Sequence, residues 1–386
     1  MDEMKIQKLL TEILSAELGE TEAAPETLSD ITPETLIAVC QLAKKHDLAH
    51  IVSSFVYRNH VEVEPELLSK LEREEALSVY RYEQMKYSFS EICATLEEAS
   101  IDYIPLKGAV IRPYYPKERM RTSCDIDILI HEDNLSLAIE RLEKKGYKVE
   151  KRGYHDISLY SPNKIHLELH FNILENRESL DSVLKDAWQY AEQIDTHRYG
   201  FRTEFFVFQM YAHMAYHFLA GGCGMRSLMD IWVMENRMNA HFSDAEELLK
   251  KAGIYTFASE MSRIAAVCFA ENNDDSFTEL VLKYIYNGGV YGSYENSIAV
   301  FKTKKGSSFS YFLKRLFMPY KTMKELFPVL KKAPILLPIF WVVRWVRAIF
   351  SGRYKSFAGE ISSSKKVSDA NVGEAREICS RLGLDK

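Results

Sequence analysis

Apolar residues recur near every 3.6 positions in the first part of the chain, most clearly at Leu36, Val39, Leu42, Ala43, Ile51, Val52, Phe55 and Val56. That period predicts an amphipathic helix from Thr35 followed by another that reaches Tyr57. Pro33, with Thr32 ahead of it and Glu34 behind, marks a helix start. Pro65 opens a further helix through Leu68, Leu71 and Leu77, and an amphipathic stretch from Tyr80 to Ala99 leads into the middle of the chain.

There the period shortens. Ile101 to Leu106 reads as a strand, Gly108 breaks it, and Ala109 to Arg112 forms a helical turn before Pro113. Cys124 to Ile130 is a second strand. Asn134 to Lys145 is helical and stops at Gly146. Tyr147 to Lys151, His155 to Tyr160 and Ile165 to Phe171 are three more strands, the last two joined by the turn Ser161-Pro162-Asn163-Lys164. Strands and helices mixed with a late hairpin predict an α+β fold, a small mixed sheet with helices against it. Helical patterns return from Thr203, pause at Gly221-Gly222-Cys223-Gly224, and resume over Met225 to Met238. The pattern divides the chain into helical residues 1–98, a mixed core 99–200, helical residues 201–300 and a tail 301–386 cut by Pro319, Pro328, Pro334 and Pro338.

Composition narrows this little. A chain of 386 residues with 47% hydrophobic and 27% charged positions has ample material for a core. Its six cysteines are scattered without metal-ligand spacing, and Met1 to Leu10 lacks a secretory pattern, so a cytoplasmic location is expected. Charge is more informative. Between Lys302 and Lys366 roughly fifteen Lys and Arg face two acids, while the first three hundred residues carry roughly −18. The basic tail either packs on the acidic body or offers a basic surface to nucleic acid or anionic lipid. Residues 333–343 are apolar but too short for a transmembrane helix, and Pro338 interrupts them. With Trp341, Arg344, Trp345 and Arg347 alongside, residues 333–355 fit either a packed helix with outward arginines or a weak membrane-surface contact.

Asp125 and Asp127 lie one residue apart inside an otherwise apolar strand. A strand points both carboxylates to one face, and burying like charges side by side is costly unless a cation stands between them. The pair therefore reads as half of a metal-phosphate site, with Mg²⁺ as the ion. Lys107-Gly108 sits where a strand passes into a helical turn, a place where glycine lets a phosphate approach backbone N–H groups. In the last strand His166, Glu168 and His170 share one face, and Ile165, Leu167, Leu169 and Phe171 share the core side. Two-metal phosphoryl chemistry uses a third carboxylate, for which Glu168 is the candidate. His213 and His217, spaced i, i+4, read as a packing pair or a pocket wall, and Arg226 with Asp230 as an intrahelical ion pair, with a nucleotide contact from Arg226 as the alternative.

The stretches Leu106-Lys107-Gly108-Ala109, Tyr115-Pro116, Arg121, Asp125-Ile126-Asp127-Ile128-Leu129-Ile130 and Glu168-Leu169-His170 resemble the uncharacterised nucleotidyltransferase family within the DNA polymerase beta superfamily. Leu42-Ala43-Lys44-Lys45-His46 upstream, and His213, His217 and Arg226-Ser227-Leu228-Met229-Asp230-Ile231 downstream, extend the resemblance to roughly Leu36 to Val233. It implies transfer of a nucleoside monophosphate from an NTP such as ATP to an acceptor, with release of pyrophosphate. By position it gives Gly108 to the triphosphate, Asp125 and Asp127 to two Mg²⁺ ions, and Glu168 to the metal site and the acceptor hydroxyl. Lys107 and Arg121 would neutralise phosphate charge. The acceptor is left open among a small molecule, a sugar, a protein and an RNA end.

Walker, nucleophile-elbow, zincin and protein-kinase patterns are absent from the sequence. Two further functions remain compatible with the pattern. One is a non-catalytic module that binds a nucleotide or a partner on the same fold. The other is a membrane-associated helper in surface-polymer biosynthesis.

Overall fold

A computed structural model describes residues 2–270, 275–290, 292–303, 313, 316–350, 363 and 367–385. Helices come first: α1 (Glu3–Gly19), α2 (Pro25–Ser29), α3 (Pro33–Lys45), α4 (Ala49–Arg58) and α5 (Pro65–Glu98). Thr32 caps α3 in a capping box with Thr35, and Pro33 follows at the first helical position, where its missing N–H costs nothing. Helix α5 is one continuous helix of 34 residues. The sequence pattern divided it near Tyr80, but no Gly or Pro interrupts it, and Leu71, Ser78, Met85 and Ile92 are buried at a constant spacing of seven.

The central sheet contains β1 (Tyr103–Pro105), β2 (Asp125–Ile130), β3 (Lys148–Arg152), β4 (Asp156–Tyr160) and β5 (His166–His170) in the order β1-β2-β5-β4-β3. Only β2 and β5 run parallel, so the sheet is mixed as expected. Helix α6 (Gly108–Ile111) is a single turn after β1, and α7 (Leu135–Lys144) connects β2 to β3. Ile126, Ile128, Ile130, Leu167 and Leu169 pack with Met85, Ile92 and Leu96 of α5 and with Ala138, Ile139 and Leu142 of α7. Strict alternation then puts Asp125, Asp127, His166, Glu168 and His170 on the opposite face. Strand β3 is an edge guarded by Lys148, Lys151 and Arg152.

Helix α8 (Glu178–Leu184) leads to a short hairpin of β6 (Ala191–Gln193) and β7 (Tyr199–Phe201), which the sequence pattern did not reveal. Helices α9 (Thr203–Ala220), α10 (Met225–Asn236), α11 (Glu246–Lys251), α12 (Tyr255–Phe269), α13 (Ser276–Gly288) and α14 (Tyr294–Thr303) follow. They share one apolar core with the first helices and with the final helix Asp369–Arg381, from Ile6 through Phe208 and Phe257 to Leu384. In the tail, the helix Leu337–Phe350 carries Pro338 in its first turn, so this proline starts the helix and does not interrupt it. Among the described residues no helix is long and apolar enough to cross a membrane.

Candidate active site

The parallel pairing of β2 and β5 sets Asp125 beside His166 and Asp127 beside Glu168. Two groups of donor atoms result, Asp125 with His166 and Glu168, and Asp127 with Glu168 and His170, each lying within 4.8 Å. Asp127 is buried, and its Oδ1 accepts from Lys107 Nζ at 3.0 Å and His170 Nε2 at 2.9 Å. Burial alone would raise its pKa, but the Lys107 charge and the His170 hydrogen bond overcome that and hold the carboxyl far below the usual range. Asp125 and Glu168 are shifted the other way, by burial first and then by the charge of Asp127. Three carboxylates thus crowd one wall.

The turn after β1 has one unusual backbone conformation. Lys107, not Gly108, has the positive φ, at 45°. A non-glycine residue there is strained and must be held by its surroundings. The amides of Ala109, Val110 and Ile111 donate to Leu106 and Lys107 carbonyls, which closes the turn on itself. Glycine at 108 has a different cause: a Cβ there would lie 2.3 Å from Nη1 of Arg121. The Arg121 guanidinium lies across the glycine and is fixed by Asp230, through Nε to Oδ1 at 3.2 Å and Nη2 to Oδ2 at 2.9 Å. Tyr115 Oη donates to the same Asp230 Oδ1 at 2.6 Å.

Asp230 therefore pairs with Arg121, which corrects the expected ion pair with Arg226. Arg226 instead donates through Nη1 to the Thr122 carbonyl at 2.8 Å. Arg112 donates to the Arg121 carbonyl and to Ser123 Oγ. Neither of these two guanidinium groups has a carboxylate partner among the described residues.

Lys107, Gly108, Arg121, Asp125, Asp127 and Glu168 all line one cleft of about 280 Å³ between the sheet and helices α9 and α10. Arg112 and Arg226 line it too, and Arg112 carried no signal of a role in the sequence pattern. A second cleft of about 200 Å³ adjoins it, sharing Lys107, Glu168, His213 and His217 and walled beyond them by Tyr154, His155, Glu175 and Tyr216. His213 Nδ1 lies 3.0 Å from Glu175, so this histidine is both packed and part of the wall. Burial, then the neighbouring His213, pushes the pKa of His217 down to about 3, leaving it neutral near pH 7.

A family model described as "Uncharacterised nucleotidyltransferase" matches residues 34–270, more than half of the chain. No curated protein and no solved structure matches.

Proposed function

We propose, on the premise that this chain belongs to the uncharacterised nucleotidyltransferase family, that it moves a nucleoside monophosphate from an NTP to an acceptor hydroxyl. The observation that supports this reading is the charge layout of the cleft, with three carboxylates on adjacent strands facing Lys107, Arg112, Arg121 and Arg226. That layout suits a nucleotide triphosphate and a divalent cation bound together.

The donor set fits a hard cation. Nε2 of His166 is engaged by Ser158 and Nε2 of His170 by Asp127, while Asp127 Oδ2 and the Asp125 carboxylate carry no hydrogen-bond donor among the described residues. Of the histidines, His170 still has Nδ1 unpartnered, but free oxygens predominate in the set, and Mg²⁺ prefers oxygen from one or two carboxylates together with phosphate. Asp125, Asp127 and Glu168 would hold it, and the ion would supply positive charge at the reacting phosphate.

In the transfer, the acceptor oxygen forms a bond to the α-phosphorus and the bond to the bridging α–β oxygen breaks. Pyrophosphate leaves with that electron pair. Glu168, whose carboxylate faces both clefts, takes the hydroxyl proton. The nucleotide therefore occupies the larger and the acceptor approaches from the smaller. Arg226 and Arg112 donate to the leaving phosphates, and Arg121 adds its Nη1 because Asp230 already orients the rest of the fork. Lys107 keeps Asp127 ionised and brings a further positive charge to the turn.

The test uses purified protein, labelled NTPs, Mg²⁺ and a cell extract as the source of acceptor. A labelled product and pyrophosphate are expected, both lost with a chelator and in Asp125→Asn plus Asp127→Asn. Mg²⁺-dependent NTP binding that is unchanged in that double variant would sink the metal assignment. Tight NTP binding without pyrophosphate release, under every acceptor tried, would favour the non-catalytic module.

A further inference from the structure

The helix Leu337–Phe350 is apolar on two sides, one packed and one free. Its packed side is anchored by Trp341 Nε1 to the Met318 carbonyl at 2.9 Å and Trp345 Nε1 to the Leu316 carbonyl at 3.0 Å. Phe340, Trp341 and Val343 cover the small core of Met323, Phe327 and Leu330. The opposite side leaves Ile339, Val342, Val346, Ile349 and Phe350 in solvent, with Phe350 87% exposed. At 100° per residue these five fall within an arc of about 100°, the width of a stripe that normally faces a core. Among the described residues, the other exposed apolar side chains include many tyrosines with a polar tip, and none forms such a row on one helix.

Charge identifies what covers the stripe. From Leu326 to Gly359 the sequence has no Asp or Glu and six Lys or Arg. Lys331, Lys332 and Arg347 are exposed, and Arg347 borders the apolar arc. An apolar face flanked only by cations suits a surface that is oily beneath and anionic above. We infer that this helix docks flat on an anionic lipid bilayer, its apolar stripe among the acyl chains and its flanking cations at the headgroups. A helix of 14 residues rises about 21 Å, shorter than a bilayer core, so it lies on the surface and does not cross. The inference stands apart from the transfer reading.

The experiment sediments the full chain with vesicles of phosphatidylcholine alone or mixed with phosphatidylglycerol. Binding to the mixed vesicles is expected to exceed binding to neutral ones by about tenfold, and to fall by a similar factor when salt rises from about 0.1 M to about 1 M. Val342→Ser with Val346→Ser should weaken it by about tenfold with an unchanged thermal melt, since both side chains are exposed. Ile349→Ser provides a second, milder loss. Equal binding to both vesicles, or full binding by the serine variants, overturns the inference. So does a concentration-dependent dimer that the double variant abolishes in the absence of vesicle binding, which would give the stripe to a second copy of the chain.

Discussion

Gly108 and Arg121 act as one unit although thirteen positions separate them. The guanidinium sits where a side chain at 108 would be, and two hydrogen bonds to Asp230 prevent it from stepping aside. Gly108→Ala should therefore displace Arg121 Nη1 from the cleft. Overpacking of this kind costs about 1–3 kcal/mol, to be read by urea unfolding. Affinity for an NTP should fall by about tenfold by calorimetry, the equivalent of about 1.4 kcal/mol. Wild-type affinity in this variant would remove Arg121 from the phosphate site. The sequence marked both residues, through the Lys107-Gly108 break and the nearby arginine. It offered close approach of a phosphate to the backbone as the reason for the glycine, and the packing of the Arg121 guanidinium against position 108 is a second one that it did not show. A steric demand made by a side chain from another segment has no local signature.

Among the elements, the strands and their faces were readable because alternation is a local property. The pattern of apolar and polar positions in Ile165 to Phe171 put Glu168 on the Asp127 face before any pairing was known. Sheet order was not readable, since the parallel β2–β5 pairing joins segments on either side of a helix and two other strands. Strands β6 and β7, with three residues each, are too short to show a period. The Arg121–Asp230 pair escaped for a related reason: it spans 109 positions, while Arg226 offered a partner on the same helix. This pair fastens α10 to the segment that enters β2. Both side chains are buried, so Asp230→Asn leaves a guanidinium charge uncompensated and should cost about 3–5 kcal/mol. Replacing both, Arg121→Met with Asp230→Leu, should cost less than the sum of Arg121→Met and Asp230→Leu alone, and urea unfolding of these three variants decides the matter. A double variant as unstable as the sum of two single ones would show that the pair has no energetic coupling.

At the scale of the molecule, the N-terminal and C-terminal helices close over one core, and His46 at the end of α3 is a joint between them. Its Nε2 donates to the Tyr286 carbonyl of α13 at 3.1 Å, and its Nδ1 accepts from the Met225 amide that opens α10 at 3.4 Å. Both nitrogens are thus committed to the neutral tautomer. Burial, partly offset by the Tyr286 carbonyl, lowers the pKa from 6.5 to about 4. Above pH 6.5 the imidazole is neutral in folded and unfolded chains alike, and its contribution is fully present. As pH falls from 6.5 towards 4, the unfolded chain binds a proton that the folded chain refuses, so stability decreases. Below 4 both forms are protonated and the loss is complete, at about 3 kcal/mol for this one group. His50, His155, His213 and His217 lose stability in the same direction, so the test must be a difference. Urea unfolding near pH 7.5 and near pH 5 should show a drop that is smaller by about 2 kcal/mol in His46→Gln than in the wild type. An equal drop in the two proteins would place the acid sensitivity in the other down-shifted histidines, His50 of α4 or those of the cleft, and leave the joint between the terminal helices insensitive to protons.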